Sequence, residues 1–272
     1  MSIEDIITKY VKPAQRDQFG LLYYYAPIST FLNGIVQDKA LALWAGHVDY
    51  MEDRMEFEKG MSLIRSINRM DAAYAKTIEI SVKRRFPFQL SLSRARDCYP
   101  MWKIYGHGEL SVMLILDSRV IWDKYKSISE CIYEGSDEYN FIRDYIQGEE
   151  WLDSKGCPKT EDIATLLLQF PYLAKDRHYA YEQEVRIFRE VRETGDKLKY
   201  KASGNIVKPF KELRFHTKAL SGVMVGPCSD EEFQLTKQAI LLCLVEHGFE
   251  HMQFSDSNDN ERIVRSDILV RQ

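Results

Sequence analysis

The sequence predicts a mixed α+β domain, with a strongly twisted sheet, mixed or antiparallel, and helices inserted between its strands. Two observations carry this. Short β-rich runs such as LLYYYAP, ALALW and SVMLILD alternate with stretches of helical periodicity. No repeat and no low-complexity linker breaks the alternation, so residues 1–272 read as a single domain, with a helical insertion over about 135–175.

Residues 2–11 form a short helix stopped at Pro13. LLYYYAP follows as a strand closed by Ala-Pro. In STFLNGIV, Ser29 or Thr30 caps a short helix whose apolar side is Phe31, Leu32, Ile35 and Val36. ALALW is the next strand. Residues 52–82 are helical, because Met55, Met61, Ile64, Ile67, Tyr74 and Ile78 recur at helical spacing. FPFQLSLS is a strand, RARDCYP an irregular loop, and SVMLILD a buried strand. Residues 137–170 are polar with helical periodicity, and YAYEQEVRIF and LSGVMVGP are strands. Asp230 to His247 is an amphipathic helix capped by Ser229 or Asp230. FEHMQFSD and ERIVRSDILV close the chain as strand-like runs.

Lys+Arg 37 against Asp+Glu 41 gives a net charge of −4, so no global basic charge advertises nucleic acid. No apolar run approaches the roughly 20 residues of a membrane span, and MSIEDIITKY is too acidic for a secretory signal. These features predict a cytoplasmic protein with no membrane partner. The cysteines, 98, 131, 157, 228 and 243, are odd in number and lack a C-x-x-C, which argues against disulfides and structural zinc. The six histidines show no metal spacing, and no metal site is expected. Gly-x-Gly-x-x-Gly, a phosphate loop and Gly-x-Ser-x-Gly are all missing. The dehydrogenase, P-loop and α/β-hydrolase readings fall with them.

The run from Tyr179 to Phe188 raises a sharper question. Read as a strand, it puts Glu182, Glu184 and Arg186 on one face, with Val185 and Ile187 on the other. Three readings stand. The face is the solvated side of an edge strand, or a buried ion network, or part of a ligand site that gives the acids something to hold.

Several stretches resemble the mostly bacterial family catalogued as domain of unknown function 2971. They run in that family's order from about residue 21 to the C-terminus. The most telling are Met101-Trp102-x-x-Tyr105-Gly106-x-Gly108 and Tyr181-Glu182-x-Glu184-x-Arg186. One departure is visible, since Met51-Glu52-Asp53-Arg54 stands where the family shows an Asn-Asp-Pro-like turn. The opening YYYAPISTFLNGIVQDKALALW also resembles the ADP-ribosyltransferase superfamily. There, a strand bearing His, Arg or Tyr is followed by a Ser-x-Ser strand and then a Glu-x-Glu strand. Tyr24 or Tyr25, Ser91-Leu92-Ser93 and Glu182-Gln183-Glu184 occur here in that order.

That resemblance implies an ADP-ribosyltransferase-like fold and transfer from NAD. The transition state is oxocarbenium-like, and a fixed carboxylate beside the ribose stabilises it. By the resemblance Glu184 is the catalytic acid and Glu182 the acceptor-side one. Ser91, with Ser93 as the alternative, orients the ribose or the acid. Tyr24, Tyr25, Trp102 or Tyr105 stacks on nicotinamide, and Arg94 or Arg186 pairs with the pyrophosphate. The acceptor is a protein or a nucleic acid. The family points to an accessory bacterial role of antiviral or toxin type, with a homo-oligomeric, antitoxin or regulatory partner. The bland alternative makes Trp102 and Tyr105 core aromatics, and Ser91 and Ser93 strand hydroxyls paired to backbone. Two other functions compete. A metal-dependent nuclease would use Glu182, Glu184 and Asp53 beside Lys83-Arg84-Arg85, Arg94 and Arg96. A non-catalytic ligand- or partner-binding module would need no chemistry.

Overall fold

The computed structural model describes residues 1–50, 54–85, 88–189, 197–203, 205–255 and 261–268. The fold is mixed α+β with a twisted mixed sheet. In chain order come α1 (Ile3–Ile6), β1 (Leu21–Pro27), α2 (Ile28–Thr30), β2 (Val36–Gln37), β3 (Ala40–His47), α3 (Arg54–Arg65), α4 (Ala72–Arg85) and β4 (Phe88–Ser93). There follow α5 (Tyr99–Tyr105), β5 (Ser111–Asp117), α6 (Ser118–Lys124), β6 (Ile128–Glu130), β7 (Ile132–Tyr133), α7 (Asp137–Gly148), α8 (Glu161–Leu173) and β8 (Ala174–Lys175). The last are β9 (Glu184–Arg189), β10 (Leu198–Ser203), β11 (Ile206–His216), β12 (Leu220–Val225), α9 (Asp230–Glu246) and β13 (Ile263–Arg265).

The chain divides into two compact units. One comprises 1–14, 45–91 and 127–211, and the other 15–44, 92–126 and 212–272. Strands β3, β4 and β11 contribute residues to both.

In the first unit β9 pairs with β4 and β6, β10 with β11, and β7 runs parallel to β8. Helices α3, α4, α7 and α8 supply most of its core, which includes Ile64, Ile78, Val82, Ile142, Leu167 and Phe170. Stripping any of these to alanine typically costs about 2–5 kcal/mol. Trp151 is buried there, and its indole N–H donates to the Ile146 carbonyl at 3.0 Å. Helix α3 crosses α8 closely. A β-carbon on Gly60 would stand 2.5 Å from the α-carbon of Pro171, so the crossing requires glycine.

In the second unit β5 is central. It is antiparallel to β1 over Leu21↔Asp117 to Pro27↔Ser111, and antiparallel to β12 on its other side. The near-continuous apolar reading of SVMLILD follows, since Val112, Met113, Leu114 and Leu116 are all buried. β13 runs parallel to β12, and the end of β4 meets β1 at Tyr23↔Ser93.

Several expectations need correcting. The predicted helix over 52–82 is two, broken between Arg65 and Ala72, because Asp71 accepts the Tyr74 N–H and starts α4. Helix α2 begins at Ile28 after Pro27, and no side chain caps it, so neither Ser29 nor Thr30 is the cap. The Met-Trp-x-x-Tyr run lies on α5, which the sequence reading left without a structure. FEHMQFSD is not a strand, since Glu250–Gln253 is a 3-10 turn. Helix α9 does carry its expected cap, with Ser229 and Glu232 forming a reciprocal capping box.

Candidate functional site

The predicted strand at 179–188 is half right. Arg177–Glu182 is a 3-10 turn, started by Asp176, whose carboxylate accepts the His178 N–H. Gln183 then adopts a left-handed conformation with φ 44° and turns the chain, and β9 begins only at Glu184. Glu184 and Arg186 share a strand face as expected, but Glu182 is not on the strand. The alternation of apolar and charged residues imitates a longer strand because the turn ends one residue before the true one.

The turn nevertheless brings Glu182 to the same place. β8 pairs with β7 at Tyr133↔Lys175, and the Glu134 N–H donates to the Lys175 carbonyl at 2.8 Å. The Lys175 ammonium reaches Glu182 at 2.9 Å and Glu184 at 2.6 Å. From β9 itself, Arg186 donates Nε to Glu184 Oε1 at 2.9 Å and Nη2 to Oε2 at 3.0 Å. Its Nη1 donates to the Tyr172 carbonyl near the end of α8, at 2.5 Å. The Glu184 backbone is fixed as well. Its N–H donates to the Tyr133 hydroxyl at 2.7 Å, and its carbonyl accepts from the Cys131 N–H at 2.9 Å.

Glu182 is 3% exposed, Glu184 4%, Arg186 3% and Lys175 8%. These values exclude a solvated edge face and establish the buried ion network. Burial alone would raise the Glu184 pKa. The charges of Arg186 and Lys175 and their hydrogen bonds outweigh it and hold the carboxyl well below the ordinary carboxylate range. Among the described residues two cations face two anions here. Taking such charges out of water is costly, and the mutual contacts offset that cost only while all partners remain.

The other candidates fall in the second unit, apart from Ser91, which is half-buried on β4. Tyr25 and Trp102 are core residues, 6% and 5% exposed, stacked edge to face at 4.9 Å. The Tyr25 hydroxyl donates to the Ala95 carbonyl at 2.7 Å and accepts the Cys98 N–H at 3.0 Å. The buried Ser93 hydroxyl accepts the Ala95 N–H at 2.9 Å. Asp97, at φ 49°, accepts the Trp102 indole N–H at 2.8 Å, the Ser266 hydroxyl at 2.5 Å and the Asp267 N–H at 2.9 Å. Tyr25, Ser93 and Trp102 therefore hold the RARDC loop in place. Tyr24 and Tyr105 are half-buried, and Arg94 is exposed. Burial pushes the Tyr24 phenol up to about 12.

Sequence reasoning missed Lys175, the cation shared by both glutamates. Its signal was a lysine ending the apolar run LLLQFPYLAK, where an unpaired charge would be costly. It also missed an open cleft of about 570 Å³ in the first unit, lined by Lys59, Glu134, Tyr139, Arg143, Asp176, Arg177 and His178 among others. Among the described residues no group of three or more His, Cys, Asp or Glu is placed to hold a metal ion. Asp53, and the turn at 51–53, lie outside the described residues, as do the side chains of Lys83, Arg84 and Arg85. No helix among the described residues is long and apolar enough to cross a membrane.

No family model matches the chain, and no curated protein or solved structure matches it either.

Proposed function

We propose that the chain is an ADP-ribosyltransferase-like enzyme that uses NAD, with Glu184 as the carboxylate that faces the ribose. One observation carries the reading. The Ser-x-Ser strand β4 is hydrogen-bonded to β9, which bears Glu184. The resemblance asks for a Ser-x-Ser strand followed by a Glu-x-Glu strand, and these two strands are paired. In this reading Arg186 keeps one oxygen of Glu184 fixed. Lys175 yields the other to the ribose 2′-hydroxyl, and in doing so releases Glu182 for the acceptor. The carboxylate, held fully ionised, stabilises positive charge as the bond between nicotinamide and ribose breaks. Ser91 orients the ribose. The acceptor is a protein or a nucleic acid, and a defence or toxin-like setting suits such a transfer.

The test is incubation with NAD labelled in its adenylate half, scoring free nicotinamide and label retained on protein or nucleic acid. Wild type is compared with Glu184→Gln and Ser91→Ala, with melting curves to separate chemistry from folding. Ser91→Ala removes a half-buried hydroxyl that anchors nothing in the cluster, so it reports on the site if Glu184→Gln fails to fold. Nicotinamide release that falls at least tenfold in the folded variants supports the reading. No release with any lysate or nucleic acid, or unchanged release in both variants, overturns it. A chelator arm separates it from metal-dependent cleavage.

A further inference from the structure

The cleft in the first unit is built by four pieces of chain. Lys59 comes from α3, and Glu134 and Gly135 from the turn after β7. Tyr139, Asn140 and Arg143 lie on α7, and Asp176, Arg177 and His178 follow β8. Strand alternation explains the last set. With Lys175 turned into the ion cluster, the next side chain, Asp176, turns the other way.

The two carboxylates of the cleft are already occupied. Lys59 reaches Glu134 at 3.1 Å and also pairs with Asp176. Asp176 additionally accepts the His178 N–H at 2.9 Å and contacts the His178 Nδ1 at 2.7 Å. A carboxylate at Nδ1 fixes the imidazole's orientation, which leaves Nε2 as the nitrogen that faces a ligand. Arg177 is exposed and makes no hydrogen bond or ion pair among the described residues. Among the described residues Arg143 pairs with its chain neighbour Asp144, at 2.8 Å, and Asp144 is 65% exposed, so the pair exchanges easily for a better anion. Three full cations line the cleft against two carboxylates. A chain of net charge −4 thus presents a locally positive hollow.

We propose that this cleft binds a phosphorylated small molecule of nucleotide size, with Arg177 and Arg143 gripping its phosphate and His178, as the imidazolium, donating Nε2–H to it. A guanidinium fork matches phosphate oxygens in geometry as well as in charge. A hollow of about 570 Å³ suits a nucleotide, and its open side leaves Tyr139 beside the ligand. The site is separate from the NAD reading and survives its failure.

The test is calorimetric titration of the full chain with inorganic pyrophosphate, ADP and adenosine. Comparison is with Arg177→Gln and His178→Gln, both exposed and both expected to fold, and with Arg214→Gln, an exposed arginine outside the cleft. Saturable binding of pyrophosphate and ADP, none of adenosine, is expected. Arg177→Gln and His178→Gln should each weaken it at least about fivefold, with no change in Arg214→Gln. No saturable binding of pyrophosphate or ADP in the wild type, adenosine bound as tightly as ADP, or equal affinity in all variants overturns the proposal.

Discussion

Replacing Glu184 with glutamine removes the anion that, among the described residues, touches both buried cations. The amide keeps one acceptor oxygen, so the contacts to Lys175 at 2.6 Å and to Arg186 at 2.9 and 3.0 Å cannot all be kept. It also keeps the size of the acid, so no cavity forms, and the loss is one of charge and of a single acceptor. One negative charge is then lost from among side chains that are nearly fully enclosed. Breaking a buried pair costs about 3–5 kcal/mol. Glu182 still holds Lys175 at 2.9 Å, which places the loss near the lower end, about 3 kcal/mol. At roughly 2–4 °C per kcal/mol for a chain of this size, the melting midpoint falls by about 6–12 °C. Thermal and urea unfolding at neutral pH measure it. The double variant Lys175→Met with Glu184→Gln removes one charge of each sign and should lose less than the two single changes summed. A loss below about 1 kcal/mol in Glu184→Gln, or strict additivity in the double variant, refutes the interlocked charge network.

Acid should weaken the fold in two stages. His47 packs edge-on against Phe88 and Tyr50, and desolvation lowers its pKa against the opposing pull of Asp49. A histidine lowered on folding contributes stability above its unfolded value of about 6.5, and that stability is lost as pH falls toward the folded value. Glu184, also lowered on folding, contributes fully above its unfolded value of about 4.3 and loses that contribution only in stronger acid. Urea midpoints measured from pH 7 to 3 should show both, and His47→Phe should abolish the first stage alone. Asp97→Ala strips the acceptor from the Trp102 indole, and should cost about 1–3 kcal/mol and speed hydrogen exchange at Asp267. Unchanged exchange at Asp267 tells against Asp97 as the clasp of that segment. Gly60→Ala should destabilise by about 1–2 kcal/mol in chemical unfolding, because the clash with Pro171 exceeds the helix preference of alanine. A stabilised variant means that α3 and α8 can move apart cheaply.

Much of the fold was legible where one face of an element is buried and its neighbours in sequence say so. SVMLILD, LSGVMV and the helix from Asp230 declared themselves through apolar runs and a serine cap. The break at Asp71 and the turn at Gln183 were not legible. Each depends on one backbone choice that a periodic pattern does not record. The site was legible in part. Glu184 and Arg186 do share a face, but their burial is decided by Lys175 and by the Tyr172 carbonyl, which belong to the preceding segment. Tyr25 and Trp102 look like ligand platforms in sequence. Only tertiary structure gives their polar atoms the backbone and Asp97 partners that satisfy them. The cleft was invisible because its residues come from α3, α7 and two turns.

The ion network is also local along the chain. Among the described residues its four charged groups and the Tyr172 carbonyl lie within 14 residues of one another. Closing a loop of that order is fast, about 10–100 ns for ten residues, and entropically cheap beside joining distant strands. The segment can therefore gather its four charges before the long-range sheet pairing is made.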